Sequence, residues 1–343
     1  MIPAITTPSG ARFGRLPDSD ASRSSDFSLI QTAEQSTTCP ATSISTRSVS
    51  PYNVVIETVE LADIELDKQR EVPRYNTNNH WRYEGRQRPE DYDAVVEATA
   101  ARHWMTSLKP DCQQFAITSA DIDQLLGWQR VSELKGFLSS GTLDDIEDLA
   151  DKRSYQKLRE ALKTGSYFVR SDYASLKYGK HKNKVYKSLA EVFESMVTSK
   201  RSHSPLGLTP ESREEALSLY LVPWRTIKPD LEFRVFVAQK KITAISQQDV
   251  YRKNEYLDEQ KAPEIAQKIN TYFRYYIRDQ LTMLDSYVMD IALIGDSAST
   301  VYFIEINAFG KDYTSGSAAF SWVDDADKIH ARNNDTIYFR YVV

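Results

Sequence analysis

Residues 288–307 read VMDIALI-GDSAST-VYFIEIN and form the most informative segment of the chain. Two alternating apolar runs around a Gly-containing loop of six residues predict an antiparallel hairpin. In a symmetric hairpin Ile294 faces Val301 and Asp290 faces Glu305. Asn307 then lies on the same face, because side chains two apart on a strand share a face. We therefore expect two carboxylates and an amide oxygen to converge.

Opposed carboxylates suggest a metal site. Like charges that face each other destabilise a sheet unless something compensates them, and a divalent cation with oxygen ligands does so. We therefore predict that Asp290, Glu305 and Asn307 hold Mg²⁺. Because Mg²⁺ takes few protein carboxylates and completes its octahedron with water and phosphate oxygens, a nucleoside triphosphate is the expected companion ligand. The alternative is a solvated polar face without a ligand.

Two further segments place basic side chains on or after strands. The run EFRVFV (232–237) puts Glu232 and Arg234 on one face, so Arg234 either grips a phosphate or forms a structural pair with Glu232. Arg170 ends an apolar run, and a basic, Gly-containing loop follows over residues 175–184. This loop either closes over phosphates or is a charged surface loop.

The rest of the chain indicates an α+β protein with three portions. Residues 1–50 are rich in Ser and Thr, and we expect a disordered N-terminal tail. Residues 51–164 form a mainly helical portion, with helices predicted over 91–108 and 143–162. Residues 165–343 alternate short strands with two helices, which predicts a mostly antiparallel sheet.

Charge and composition exclude several classes of protein. The chain has 343 residues with 43 basic and 48 acidic side chains, so its net charge of −5 argues against nucleic acid as a partner. Two cysteines, Cys39 and Cys112, are too few for a disulfide framework. No apolar run approaches the ~20 residues that span a bilayer, so we expect a cytoplasmic protein without a membrane partner.

Several motifs occur in an order that resembles the cell division cycle protein 123 family over roughly residues 165–343. They are FVR (168–170), LYLVPW (219–224), EFRVFV (232–237), AISQ (244–247), Asp290, EIN (305–307) and FSW (320–322). The resemblance implies an ATP-grasp-like fold, in which two α+β lobes hold ATP between them.

The resemblance also implies which side chains or backbone groups meet the nucleotide. Those expected are Arg170, Tyr173, Ser175, Lys177, Val222, Trp224, Arg225, Glu232, Arg234 and Gln247. Segment 217–225 would contact the adenine edge, Arg234 and Gln247 would line the phosphate side, and Lys177 would lie on a segment that covers the nucleotide.

Three functions are compatible with this pattern. The first is an ATP-dependent ligase that joins a carboxylate to an amine through an acyl phosphate, with Arg234 and Lys177 as catalytic residues and an unidentified small-molecule acceptor. The alternative is an ATP-dependent assembly chaperone for eukaryotic translation initiation factor 2, with the gamma subunit as client. The N-terminal motif of that client-binding group is not recognisable in residues 1–60. An RNA ligase is a third, weaker reading.

Overall fold

The computed structural model describes residues 53–182, 185–199, 204–207, 216–330 and 335–343. The tail expected over residues 1–50 lies outside the described residues. Residues 53–343 fall within one compact unit. Among the described residues, no helix combines the length and the apolar composition that a bilayer crossing requires.

Strands and helices alternate along the described part of the chain. The strands are β1 (Asn53–Val59), β2 (Gln113–Thr118), β3 (Tyr167–Ser171), β4 (Ala216–Pro223), β5 (Glu232–Ala238), β6 (Lys241–Gln247), β7 (Tyr287–Ile294), β8 (Thr300–Asn307) and β9 (Thr336–Val342). The helices are α1 (Leu61–Asp67), α2 (His80–Tyr83), α3 (Tyr92–Glu97), α4 (Met105–Leu108), α5 (Ser119–Lys135), α6 (Ser140–Asp151), α7 (Gln156–Thr164), α8 (Leu189–Val197), α9 (Lys261–Tyr272) and α10 (Ala326–Ile329). A π-helical turn, Phe273–Ile277, continues α9.

The strands form two sheets, and the predicted α+β class with mostly antiparallel strands is confirmed. The larger sheet has the order β1-β9-β6-β5-β7-β8, in which β9 is parallel to both of its neighbours and the other pairs are antiparallel. The smaller sheet is antiparallel with the order β2-β4-β3. Strand β1 of the larger sheet and strand β2 of the smaller sheet both come from residues 51–164. The predicted division of the chain into three portions stays a prediction.

The β7–β8 hairpin follows the predicted register only in part. Asp290 faces Glu305 as predicted. The expected pairing of Ile294 with Val301 is wrong, because Ile294 faces Thr300. A bulge between Asp290 and Ile291 shifts the register, and a bulge adds one residue to one strand without changing the alternation visible in the sequence.

Helices in the first half are shorter than predicted. The stretch 143–162 is not one helix, since α6 ends before Lys152, whose backbone is extended (φ −50°, ψ 140°), and α7 begins at Gln156. The stretch 91–108 divides into α3, a 3₁₀ turn and α4. Helix α8 is capped at its N-terminus, because the Ser188 hydroxyl accepts from the Glu191 backbone N–H at 3.2 Å and the Glu191 carboxylate accepts from the Lys187 backbone N–H at 2.8 Å.

Two apolar cores hold these layers together. Helices α5 to α8 pack on the smaller sheet around residues such as Phe193 and Leu219. Helix α9 packs on the larger sheet against Phe233 and Val235, which point away from Arg234 on β5. The opposite face of β5 and β7 carries a smaller apolar cluster with Phe236, Val288 and Phe320. The same face carries Arg234 and Asp290, and it meets the end of β3 through Glu305 and Arg170.

Candidate functional site

Arg170, the fourth residue of β3, lies between the two sheets and is buried. Its Nη1 donates to Glu305 Oε2 on β8 at 2.9 Å, and its Nε donates to the Ser171 carbonyl at 3.3 Å. Its guanidinium carbon lies 5.0 Å from the centroid of the Trp104 ring, a cation–π contact. Two cavities meet at this side chain.

The first cavity is small and mostly apolar. It has a volume of about 110 Å³ and is lined by Lys109, Phe168, Arg170, Val222, Pro223, Trp224, Arg225, Ile227, Tyr302 and Ile304. Strand β4 and the residues after it form one side, and the backbone N–H of Trp224 is fixed by the Ser166 carbonyl at 2.9 Å. An apolar slot with a few polar groups at its edge suits a flat heteroaromatic ring.

The second cavity is larger and polar. It has a volume of about 320 Å³ and is lined by Asn78, Asn79, Val96, Thr99, Ala100, Arg170, Tyr173, Ala174, Tyr178, Glu305, Ile306, Asn307 and Thr314. Arg170 belongs to both cavities. A ligand with a ring at one end and a charged tail at the other would therefore place the charged tail next to the guanidinium.

The facing carboxylates are compensated by two arginines. Asp290 accepts two hydrogen bonds from Arg234, from Nε at 2.9 Å and from Nη2 at 2.8 Å, and both side chains are buried. Glu305 accepts from Arg170. Because each carboxylate already has a cation beside it, the facing of Asp290 and Glu305 does not by itself require a metal ion.

Arg234 is not free to contact a phosphate in this arrangement. Its Nη1 donates to the Gly316 carbonyl at 2.8 Å, so Nε and both terminal nitrogens have protein acceptors. The structural alternative, an ion pair on a core strand, describes it better, although its partner is Asp290 and not Glu232. This placement does not support a catalytic role for Arg234.

Only part of the predicted metal site faces the cavity. Glu305 and Asn307 line the polar cavity, and Asp290 lies behind them. Asn307 Nδ2 donates to Asp290 Oδ2 at 3.5 Å, which leaves its Oδ1 as an acceptor. Within the described part of the chain, no three His, Cys, Asp or Glu side chains are grouped as a metal site. Mg²⁺ therefore stays a prediction, and it would need phosphate oxygens as further ligands.

Glu232 carries the most perturbed carboxyl group near this site. Burial first, and then the negative charge of Asp290, raises the pKa of Glu232 to about 7. The positive charge of Lys177 acts in the opposite direction on the same carboxyl, which places Lys177 within electrostatic range of it. Among the described residues Lys177 forms no ion pair, and its Nζ lies 5.9 Å from the Tyr178 ring centroid.

The remaining predicted contacts fall into different places. Tyr173 lines the polar cavity, its hydroxyl accepts from Arg102 at 2.7 Å, and burial raises the pKa of Tyr173 to about 12. Ser175 is buried beside Arg170, and its hydroxyl has no hydrogen-bond partner within the described ranges. Arg225 is exposed at the rim of the apolar cavity, 3.8 Å from an Asp111 oxygen.

The structure does not bring Gln247 to the site. Gln247 faces Phe233 across the β5–β6 pair, and its side chain therefore points to the face opposite to Arg234. Its amide nitrogen donates to the carbonyls of Asp249 and Arg252, and its Oε1 accepts from the Val342 backbone N–H at 3.0 Å. All of its polar atoms are engaged with backbone, so it holds the loop after β6.

Sequence reasoning missed Lys109. Its Nζ lies 3.9 Å from the Tyr302 ring centroid and donates to the Phe303 carbonyl at 2.6 Å. Burial lowers the pKa of Lys109 to about 7. One lysine among 43 basic residues carries no signal of its own in the sequence, and only the approach of the segment after α4 to β8 reveals it.

Comparison with known proteins finds a family model that matches part of the chain. The D123 family model matches residues 180–343. A protein of Candida albicans named "Translation initiation factor eIF2 assembly protein" is 35% identical over 119 residues, which are 34% of this chain and 32% of that protein. The protein of the same name from Danio rerio is 30% identical over 142 residues, 39% of each chain. The matched part of these relatives is thus 32 to 39% of their length.

Solved structures align more loosely. Cdc123 from Schizosaccharomyces pombe has a TM-score of 0.48 at 16% identity, covering 72% of this chain and 97% of that chain. A RimK domain ATP-grasp protein from Sphaerobacter thermophilus has a TM-score of 0.28 at 10% identity, covering 63% of this chain and 60% of that chain.

The names of the relatives correct the functional prediction. They describe assembly proteins for an initiation factor, and the prediction of a ligase that joins a carboxylate to an amine is wrong on this finding. The same names support neither the small-molecule acceptor nor the RNA ligase alternative.

Proposed function

Residues 180–343 match the D123 family model, and from this premise we propose that the chain is an ATP-binding assembly factor for translation initiation factor 2. The observation that carries initiation factor 2 is the shared name of the matched relatives. The gamma subunit is the client that the resemblance to the cell division cycle protein 123 family implies. The support for the nucleotide is the pair of cavities that meet at Arg170.

The adenine ring occupies the apolar cavity in this proposal. Val222, Trp224 and Arg225 supply one edge, where backbone groups can pair with the ring nitrogens. Lys109 lines the same cavity, close to the Tyr302 ring, and its amine donates to the Phe303 carbonyl.

The triphosphate extends past Arg170 into the polar cavity. Arg170 is held by Trp104 and Glu305, so its guanidinium is already oriented when the ligand arrives. Glu305 and Asn307 are the side chains that would hold Mg²⁺ together with phosphate oxygens. Asp290 positions Asn307 from behind.

A ligand in this place touches both sheets. The smaller sheet contributes Phe168 and Arg170, and the larger sheet contributes Tyr302 and Glu305. A ligand that binds one arrangement of the two sheets better than others increases the population of that arrangement. ATP would therefore control the shape of the surface that the client meets.

The test is a co-purification of the full chain with the gamma subunit of initiation factor 2, with and without Mg·ATP. We expect capture of the gamma subunit in the presence of Mg·ATP, and we expect Arg170→Met to weaken it. Arg130→Met, an exposed arginine on α5, is the matched control and should behave as the unchanged chain. Absence of capture under both conditions, with Mg·ATP binding verified by calorimetry, would remove the client and leave the nucleotide site standing.

A further inference from the structure

The far wall of the polar cavity comes from the segment Asn76–His80. This segment is fastened to the loop after β8 by backbone hydrogen bonds from Asn76 to Ala318 (2.8 Å), from Asn79 to Tyr313 (3.0 Å) and from His80 to Lys311 (3.0 Å). Asn78 adds a side-chain bond, from Nδ2 to the Thr314 carbonyl at 3.0 Å. The wall is thus a second strip of chain laid along the loop 311–318.

Gly316 sets how closely the two strips approach. A Cβ atom at this position would clash with Asn76 Oδ1 and would lie 3.1 Å from the Asn76 carbonyl oxygen. A side chain here therefore displaces the Asn76 side chain and presses on the backbone of the wall. The carbonyl of the same glycine accepts from Arg234, which also holds Asp290. The position of the wall is in this way tied to the buried ion pair beneath the site.

We propose that this wall meets the terminal phosphate of the bound nucleotide and makes the site select a nucleoside triphosphate over a diphosphate. The inference rests on the proposed ATP binding. Asn78 is the residue that contacts the terminal phosphate, since its side-chain amide has two N–H donors and the Thr314 carbonyl accepts one of them. Arg234 and Gly316 are positioning residues that act through the wall.

Two observations support a role at the phosphate end. The wall lines the polar cavity and none of its residues lines the apolar cavity, so a ring bound in the apolar cavity does not touch it. The polar cavity is also nearly three times as large, about 320 against 110 Å³, which leaves its far side for the end of a long tail.

The experiment compares Gly316→Ala with Gly127→Ala by calorimetric titration with AMP, Mg·ADP and Mg·ATP. Gly127 is a matched control, because a Cβ there has nothing within 4 Å. For Gly316→Ala we expect the affinity for ATP to fall about tenfold and the affinity for AMP to stay unchanged, which lowers the ATP-to-ADP affinity ratio. The control should keep the ratio of the unchanged chain.

Asn78→Ala keeps the test decisive if Gly316→Ala does not fold, as judged by circular dichroism. It removes the amide without adding bulk, and we expect it to lower the ATP-to-ADP ratio about fivefold. An equal loss of affinity for ATP and ADP, or no loss, would contradict the proposed selectivity of the wall and would leave the proposed nucleotide site unaffected. If the unchanged chain binds none of the three nucleotides, the proposed ATP site and the wall are both refuted.

Discussion

The site contains two ion pairs of the same chemistry, Asp290 with Arg234 and Glu305 with Arg170, and they differ in depth. The Asp290 and Arg234 side chains are 4% and 9% exposed, and the pair is bidentate. Glu305 is 15% exposed and lines a cavity. Facing positions on one hairpin thus hold one carboxylate in a deeply buried pair and one carboxylate at the wall of a cavity.

The comparison teaches that a shared sheet face does not give two residues the same role. The two carboxylates differ in the strand that lies beside them. Asp290 lies on β7 next to β5, and Arg234 of β5 is its direct neighbour. Glu305 lies on the edge strand β8, and Arg170 of the other sheet reaches it. In the proposed site this edge position puts Glu305 beside the ligand.

The largest expected effect separates the two pairs by stability. Asp290→Asn leaves the Arg234 guanidinium buried beside a neutral partner, and we expect a loss of about 3 kcal/mol in the free energy of unfolding. Glu305→Gln should lose only about 1 kcal/mol, because the cavity beside it admits water. Urea unfolding followed by circular dichroism measures both. Equal losses would mean that depth does not distinguish the pairs.

Lys109 sharpens the comparison, because it is a buried charge that no carboxylate hydrogen-bonds within the described residues. Its pKa is about 7 in the folded chain against 10.5 when exposed. Between these values the unfolded chain binds more protons, so the free energy of unfolding should rise with pH, by roughly 1 kcal/mol per pH unit from 7 to 10. Below pH 7 the full penalty for charging the amine is present.

Lys109→Met should remove that rise. The measurement is urea unfolding of both chains at several pH values from 7 to 10, and the difference between the two curves isolates the lysine. Lys157→Met, an exposed residue of α7, is the control and should leave the slope unchanged. A slope that survives in Lys109→Met would show that the amine is charged in the fold or that another group dominates.

The smallest expected effect concerns Glu232, the third carboxyl group on this face. Burial and the negative charge of Asp290 raise the pKa of Glu232 to about 7, and the positive charge of Lys177 limits that rise. Lys177→Ala should therefore raise the pKa of Glu232 further, by roughly half a unit. Carboxyl-carbon NMR titration reads this directly, with Lys163→Ala on α7 as the control. An unchanged pKa would mean that Lys177 lies too far from Glu232 in solution to act on it.

The parts of this molecule that follow from alternation could be predicted from its sequence. The hairpin follows from the period of two along each strand. The predicted facing of Asp290 with Glu305 is correct because the bulge offsets a one-residue shift of the pairing near the loop. The bulge beside Asp290 could not be predicted, because one inserted residue leaves the apolar pattern readable in either register. The mistaken pairing of Ile294 follows from that single residue.

Partners from distant segments were beyond the reach of the sequence. Arg170 and Glu305 are 135 residues apart, and no spacing rule connects them. Arg234 was predicted to contact a phosphate or to pair with Glu232, and its partner Asp290 is 56 residues away. The strand β2 was overlooked because QQFAIT (113–118) is a short, half-polar run inside a helical stretch. Lys109 and the Asn76–His80 wall enter the site only through tertiary packing.

The central claim is that a nucleotide lies across Arg170 with its phosphates beside Glu305. Calorimetric titration of Mg·ATP into the unchanged chain, Glu305→Gln and Asp290→Asn tests it most directly. We expect binding by the unchanged chain, a loss of affinity of about tenfold or more for Glu305→Gln, and a smaller loss for Asp290→Asn, provided that each chain is folded. Affinity for Mg·ATP that is the same with and without the Glu305 carboxylate would contradict the claim.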